Sequence, residues 1–191
     1  MKLPEEINYL NEVLSGKKNS FRFFVDKYYL KVLSYIKTLV PDKTLAEDLL
    51  QETFLRAYSK LSTFDQSREF APWIIKLAHN IVLKQFRKSK TEISNSISVE
   101  NFFQLSEKPE NPKMVDEKIA IDRSLEKLTL GLKIVFLMKH SLGFTYEEIS
   151  EILEEPLGTI KVSVFRACSQ MRKELEELRE VGQKSYVSKS N

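Results

Sequence analysis

Two histidines, one cysteine and a few neighbouring acid pairs are the residues from which a catalytic or metal centre would have to be assembled. Their spacing assembles none. His79 and His140 are far apart in the chain, and neither has a second ligand at metal-binding spacing; a lone histidine on a helix is more commonly structural or solvated. Cys168 alone cannot close an internal disulfide or build a multi-cysteine zinc site, which fits a reducing compartment. There is no phosphate-binding Walker loop and no dinucleotide Gly-x-Gly turn. Glu47-Asp48 and Glu147-Glu148 read as helix caps and surface charge rather than as acid–base pairs. The sequence therefore predicts no catalytic residue, no metal and no cofactor, and the chemistry left to it is recognition.

Three groups of side chains have the spacing for that. Asp48, Gln51, Glu52 and Leu55 follow i, i+3, i+4, i+7, which puts them on one face of a helix. A leucine among acids and an amide suits protein docking; the alternative is a solvated face with one exposed leucine. Between Arg68 and Lys90 the basic residues Arg68, Lys76, Lys84, Arg87, Lys88 and Lys90 are opposed only by Glu69. Lys76, Asn80, Lys84 and Arg87 fall near one side of a helix, where cations neutralise phosphates and release counterions, and Asn80 can add hydrogen bonds. Phe64 precedes them in a loop and Trp73 lies just inside the helix; either aromatic can stack on an unpaired base or belong to the core, and Trp73, on the inward stripe, is read as core. The third group is a pair of short helices around 144–173. Thr145-Tyr-Glu-Glu148 is a capping box, Glu154-Glu155-Pro156 is a tight link, and Thr159, Lys161, Ser163 and Arg166 lie on the second helix. Such a pair is a helix-turn-helix whose second helix can enter the major groove, or a plain helical hairpin.

These groups need helices to carry them. Five glycines in 191 residues leave little material for β-turns, and the apolar spacing is helical. Helices are predicted at 5–15, 20–39, 44–61, 70–87, 114–127, 129–141, 145–153 and 157–179. The third is given a capping box at Thr44-Leu-Ala-Glu47, and its inward stripe includes Leu45 and Tyr58; Tyr29 is placed in the inward stripe of the second. Residues 62–69 read as a loop. Polar composition from Lys88, with Pro109 and Pro112, marks a flexible linker in which Phe102, Phe103 and Leu105 are candidates for docking. The expected organisation is all-α: a first helical domain at 1–90, a linker at 91–113, a second helical domain at 114–180 and a disordered tail at 181–191. Apolar residues at 42% allow ordinary packed cores, and a net charge of +3 makes the placement of charge more informative than its sum. No secretory apolar segment opens the sequence, and no apolar run approaches the roughly 18 residues of a membrane span. Cytoplasmic location without membrane insertion is expected.

Three blocks, taken in order, resemble the extracytoplasmic-function (ECF) group of the sigma-70 family of RNA polymerase sigma factors. They are Ala46-Glu-Asp-Leu-Leu-Gln-Glu-Thr-Phe-Leu-Arg-Ala-Tyr58, Trp73-Ile-Ile-Lys-Leu-Ala-His-Asn80, and Tyr146-Glu-Glu-Ile-Ser-Glu-Ile-Leu continued by Pro156-Leu-Gly-Thr-Ile-Lys161. The resemblance spans about residues 8–90 and 115–178. It implies a region 2 helical bundle and a region 4 helix-turn-helix joined by the linker. It also implies core RNA polymerase docking through Asp48, Gln51, Glu52 and Leu55. Minus-ten promoter DNA would be bound and melted by Phe64, Arg68, Lys76, Asn80, Lys84 and Arg87. The minus-thirty-five element would be read by Thr159, Lys161, Ser163 and Arg166. An anti-sigma factor is the further partner the resemblance implies. The sequence departs from the family where a small polar residue is usual at Val162, an arginine at Ser163 and Cys168, and often a glycine at Glu154. Without the polymerase-docking reading, the same motifs describe a helix-turn-helix transcriptional regulator that does not associate with core polymerase.

Overall fold

The computed structural model describes residues 4–92 and 117–187. Among them there are helices and turns and no strand. The chain divides into two compact units between Leu105 and Ser106, inside the segment read as a linker. Most of that segment, with Phe102, Phe103 and Leu105, lies outside the described residues.

The first unit holds α1 (Pro4–Leu14), α2 (Arg22–Leu39), α3 (Lys43–Lys60) and α4 (Phe70–Glu92). Helices α2, α3 and α4 pack against one another. Their buried faces follow the helical period: Phe24, Tyr28, Val32, Tyr35, Ile36 and Leu39 from α2, Leu49, Leu50, Phe54 and Ala57 from α3, and Phe70, Ile74, Ile75, Ala78, Ile81 and Val82 from α4. Two polar contacts pin the bundle. Tyr35 is fully buried and its hydroxyl meets His79 Nδ1 at 2.8 Å, joining α2 to α4. The buried Glu6 of α1 accepts from the Tyr28 hydroxyl and pairs with Lys27 Nζ at 2.8 Å. His79 thus belongs to the packing of the fold.

Helix α3 begins differently from its sequence pattern. The N-cap is Asp42, whose side chain accepts from Leu45 N at 2.8 Å, so Thr44 already lies inside the helix and makes no capping box. An aspartate is at least as good a cap as threonine, and Pro41 before it holds the extended entry. Tyr29 and Tyr58, placed on inward stripes from spacing, are exposed, and Leu45 is half-buried. Tyr58 rests edge-on against Phe21 at 5.2 Å, as an amphipathic ring at the rim of a core does.

The second unit holds α5 (Glu117–Glu126), α6 (Leu130–Phe136), α7 (Tyr146–Leu153) and α8 (Leu157–Val187). Its core includes Leu128, Ala167 and Met171, with Leu125, Leu132 and Phe136 packed on them. A π-helical turn at Leu137–Ser141 extends α6, with Leu142 N donating to Leu137 O at 2.9 Å. It carries the fully buried Met138 and turns the chain towards α7. Helix α8 runs on through Gly182 to Val187, past the end expected near 179, so residues up to 187 are helical where a disordered tail was predicted.

Candidate functional site

The face of α3 opposite its core stripe presents Asp48, Gln51, Glu52 and Leu55 as their spacing requires. Asp48 and Gln51 are exposed, and Leu55 is 71% exposed, far more than a packed leucine. Glu52 is half-buried and accepts from Arg56 at 2.7 Å one turn on, which orients its carboxylate. Thr53, on the core side of the same turn, is fully buried and back-bonds to Leu49 O at 2.7 Å. The face is a small apolar knob ringed by acids and an amide.

On α4 the side opposite Ile74, Ala78 and Ile81 carries Lys76, Asn80, Lys84 and Arg87. Asn80, Lys84 and Arg87 are exposed; Lys76 is half-buried. Pro72 sits in the first turn of the helix, where its missing N–H costs no intrahelical bond. The preceding loop is ordered by its own contacts. Asp65 Oδ1 accepts from Ser67 N at 2.9 Å and Ser67 Oγ at 2.7 Å, and Arg68 N donates to Asp65 O at 3.0 Å. Arg68 Nε lies 3.8 Å from Asp65 Oδ2, with its head exposed.

The expectation that Phe64 presents its ring to a base is corrected here. Phe64 is 6% exposed and packs edge-on to Phe70 at 5.5 Å and against Trp73 at 4.8 Å. It is the plug that fixes the loop to the core. Trp73, assigned to the core from sequence, is the half-buried member of this cluster and lies one turn before Lys76 on the side of the basic stripe. Trp73 stands at the border between the two faces of α4.

In the second unit the capping box at Thr145 forms on both sides. Glu148 N donates to Thr145 Oγ1 at 3.1 Å, and Thr145 N donates to Glu148 Oε2 at 2.7 Å. Helix α7 ends at Glu154 in the left-handed conformation, φ 58°, and Glu155 N donates back to Ser150 O. Pro156 then leads into α8, which buries Ile160, Val164, Ala167 and Met171. Thr159, Lys161 and Arg166 are exposed on the other side. Ser163 is half-buried on the flank near the core and stands off the outward face. Val162 and Phe165 occupy that face and are exposed.

Among the described residues no group of three or more His, Cys, Asp or Glu side chains can hold a metal ion, and no helix is long and apolar enough to cross a membrane. His140 is exposed and lies 3.2 Å from Cys168 Sγ.

Comparison with known proteins adds an independent line. Residues 24–92 match the family model for sigma-70 region 2, and residues 118–171 match that for sigma-70 region 4. The chain is 26% identical over 179 residues to the ECF RNA polymerase sigma factor SigW of Bacillus subtilis (strain 168), covering 88% of this chain and 96% of that protein. It is 29% identical over 168 residues to the ECF RNA polymerase sigma-E factor of Escherichia coli (strain K12), covering 83% and 87%. Among solved structures, the fold is shared with the sigma factor RpoE in complex with the anti-sigma factor NepR from Bartonella quintana, at TM-score 0.64 and 23% identity, covering 81% of this chain and 98% of that one. It is also shared with CnrH in complex with the cytosolic domain of CnrY, at TM-score 0.62 and 18% identity, covering 88% and 96%.

Proposed function

Because the chain belongs to the extracytoplasmic-function group of the sigma-70 family of RNA polymerase sigma factors, we propose that its two units divide the work of promoter-specific initiation between them. The chain is a sigma factor that directs promoter-specific transcription. In the proposed division, the face of α3 docks on core RNA polymerase, with Leu55 as the buried anchor and Asp48, Gln51 and Glu52 as the polar rim. A central apolar residue within a rim of charges is the arrangement in which one side chain carries most of the binding energy.

The stripe of α4 follows the phosphates of the minus-ten element through Lys76, Lys84 and Arg87, with Arg68 beside it and Asn80 as hydrogen-bonding partner. Trp73 takes the stacking role that the buried Phe64 does not fill. Melting then requires no nucleotide hydrolysis by the subunit. Contacts to unpaired bases exist only in the open state, so they shift the equilibrium towards it, at about 1–3 kcal/mol per stacked base. Helix α8 reads the minus-thirty-five element in the major groove through Thr159, Lys161 and Arg166. The subunit works by binding and not by catalysis, in the cytoplasm with the polymerase.

One observation carries the docking assignment: Leu55 is 71% exposed in the middle of a polar helix face. The test is a pull-down of core polymerase with the full chain, paired with run-off transcription. Leu55→Asp is expected to weaken retention of core at least 10-fold and to abolish run-off transcription while leaving helical content unchanged. Retention equal to the wild type would refute the docking face.

Of the solved structures that share the fold, RpoE is in complex with the anti-sigma factor NepR and CnrH is in complex with the cytosolic domain of CnrY. A partner of that anti-sigma class is proposed for this chain, covering the docking and DNA-binding faces. Co-purification from the native host should recover it; recovery only as free protein or with polymerase would argue against it.

A further inference from the structure

The outward face of α8 is apolar along its middle and cationic along both edges. At about 100° per residue, Val162 and Phe165 point away from the buried Ile160, Val164, Ala167 and Met171. Val162 is 50% exposed and Phe165 is 72% exposed. Lys161 and Arg172 lie along one edge of this ridge, and Thr159, Arg166 and Lys173 along the other; all five are exposed. No acidic residue occurs between Leu157 and Lys173. Gly158 stands at the start of the same face, and a Cβ built on it would meet no atom within 4 Å, so nothing inside the fold requires a glycine there.

An apolar ridge between two rows of cations is complementary to one kind of surface. The major groove has phosphates along both walls and base edges along its floor, and the only apolar group on that floor is the C5 methyl of thymine. A protein groove that received Val162 and Phe165 would need an acidic wall on each side of the helix as well.

We infer that Val162, with Phe165 beside it, is a specificity determinant that selects thymine in the upstream duplex by packing on its methyl group. This rests on the proposed entry of α8 into the major groove, and it deepens that reading by naming the chemistry of selection. Valine has no hydrogen-bonding group, so at its position the discrimination comes from apolar contact. Removal of one buried methyl is worth about four-fold in affinity.

The test uses the full chain on a duplex pool with a randomised segment, synthesised once with thymine and once with uracil, at low salt. Core-polymerase binding by the same preparation is measured in parallel. Wild-type protein is expected to enrich thymine at one or two positions and to bind the selected duplex about four-fold less tightly for each thymine replaced by uracil. Val162→Ser should lose the methyl dependence at one position while retaining binding through the cations. Phe165→Ala should reduce it at a neighbouring position. Equal binding of thymine and uracil duplexes by the wild type, or methyl dependence that survives in both variants, overturns the inference. Core binding without methyl dependence overturns the inference and leaves the sigma-factor assignment standing. Methyl dependence without core binding does the reverse.

Discussion

Glu154 carries the one positive φ, 58°, outside glycine among the described residues. The left-handed conformation costs a residue with a Cβ about 1–2 kcal/mol, against the roughly 0.5–1 kcal/mol more that glycine loses on folding. Glu154→Gly is therefore expected to stabilise the second unit by about 0.5–1 kcal/mol. Urea unfolding followed on that unit should give a higher midpoint at unchanged slope, and a lower midpoint would mean that the turn holds Glu154 by contacts stronger than the strain. Tyr35 makes the opposite case. Its hydroxyl reaches His79 Nδ1 at 2.8 Å in a fully buried site, so Tyr35→Phe withdraws a partner from a group that water cannot reach. A loss of about 1–3 kcal/mol from the first unit is expected, read as a lower thermal midpoint. A midpoint unchanged from the wild type would show that the contact contributes nothing net.

At the scale of the helix, the start of α3 separates two caps that the sequence presents together. Asp42→Ala should cost about 1 kcal/mol in thermal or urea unfolding, and Thr44→Ala should be nearly neutral, because only Asp42 receives an N–H. Equal losses from both would restore the box at Thr44. Helix positions, the box at Thr145 and the outward placement of Asp48, Gln51 and Leu55 on α3 followed from period and spacing, because each depends on residues within one or two turns. The choice between Asp42 and Thr44 did not, since two acceptable caps two residues apart compete and the entry path of the chain decides. The deeper burial of Phe64 than of Trp73 was not legible for a related reason. Both are aromatic residues flanking the start of α4, and which of them fills the core depends on Phe70 and on the fold of the loop, which periodicity along one helix does not encode. The half-burial of Ser163 depends on what packs beside α8, which the period of one helix does not encode.

At the scale of the molecule, the first unit is tied together through phenols and a histidine, and this makes it sensitive to alkali. Burial holds the Tyr28 hydroxyl well above its ordinary value, assisted by the bond to Glu6, and burial does the same for Tyr35. A group whose folded value is raised contributes stability below its unfolded value, near 10 for tyrosine, and that contribution is lost as pH rises beyond it. The first unit should therefore remain at full stability through neutral pH and unfold cooperatively above about pH 10. Tyrosinate absorbance from two of the seven tyrosines should appear together with the loss of helical circular dichroism. Smooth titration of all seven in a chain that stays helical would contradict it.

The plug at Phe64 has a consequence for timing. Ordering a residue of backbone costs about 1–2 kcal/mol, and the loop between α3 and α4 would face that cost for several residues if it took shape only around DNA. With Phe64 seated against Phe70 and Trp73, and with Asp65 gathering the next turn, that entropy is surrendered when the protein folds. In the proposed function, the stacking surface is already waiting when a base pair opens, so the lifetime of a spontaneous opening in the duplex, and not a rearrangement of the protein, sets the pace of capture.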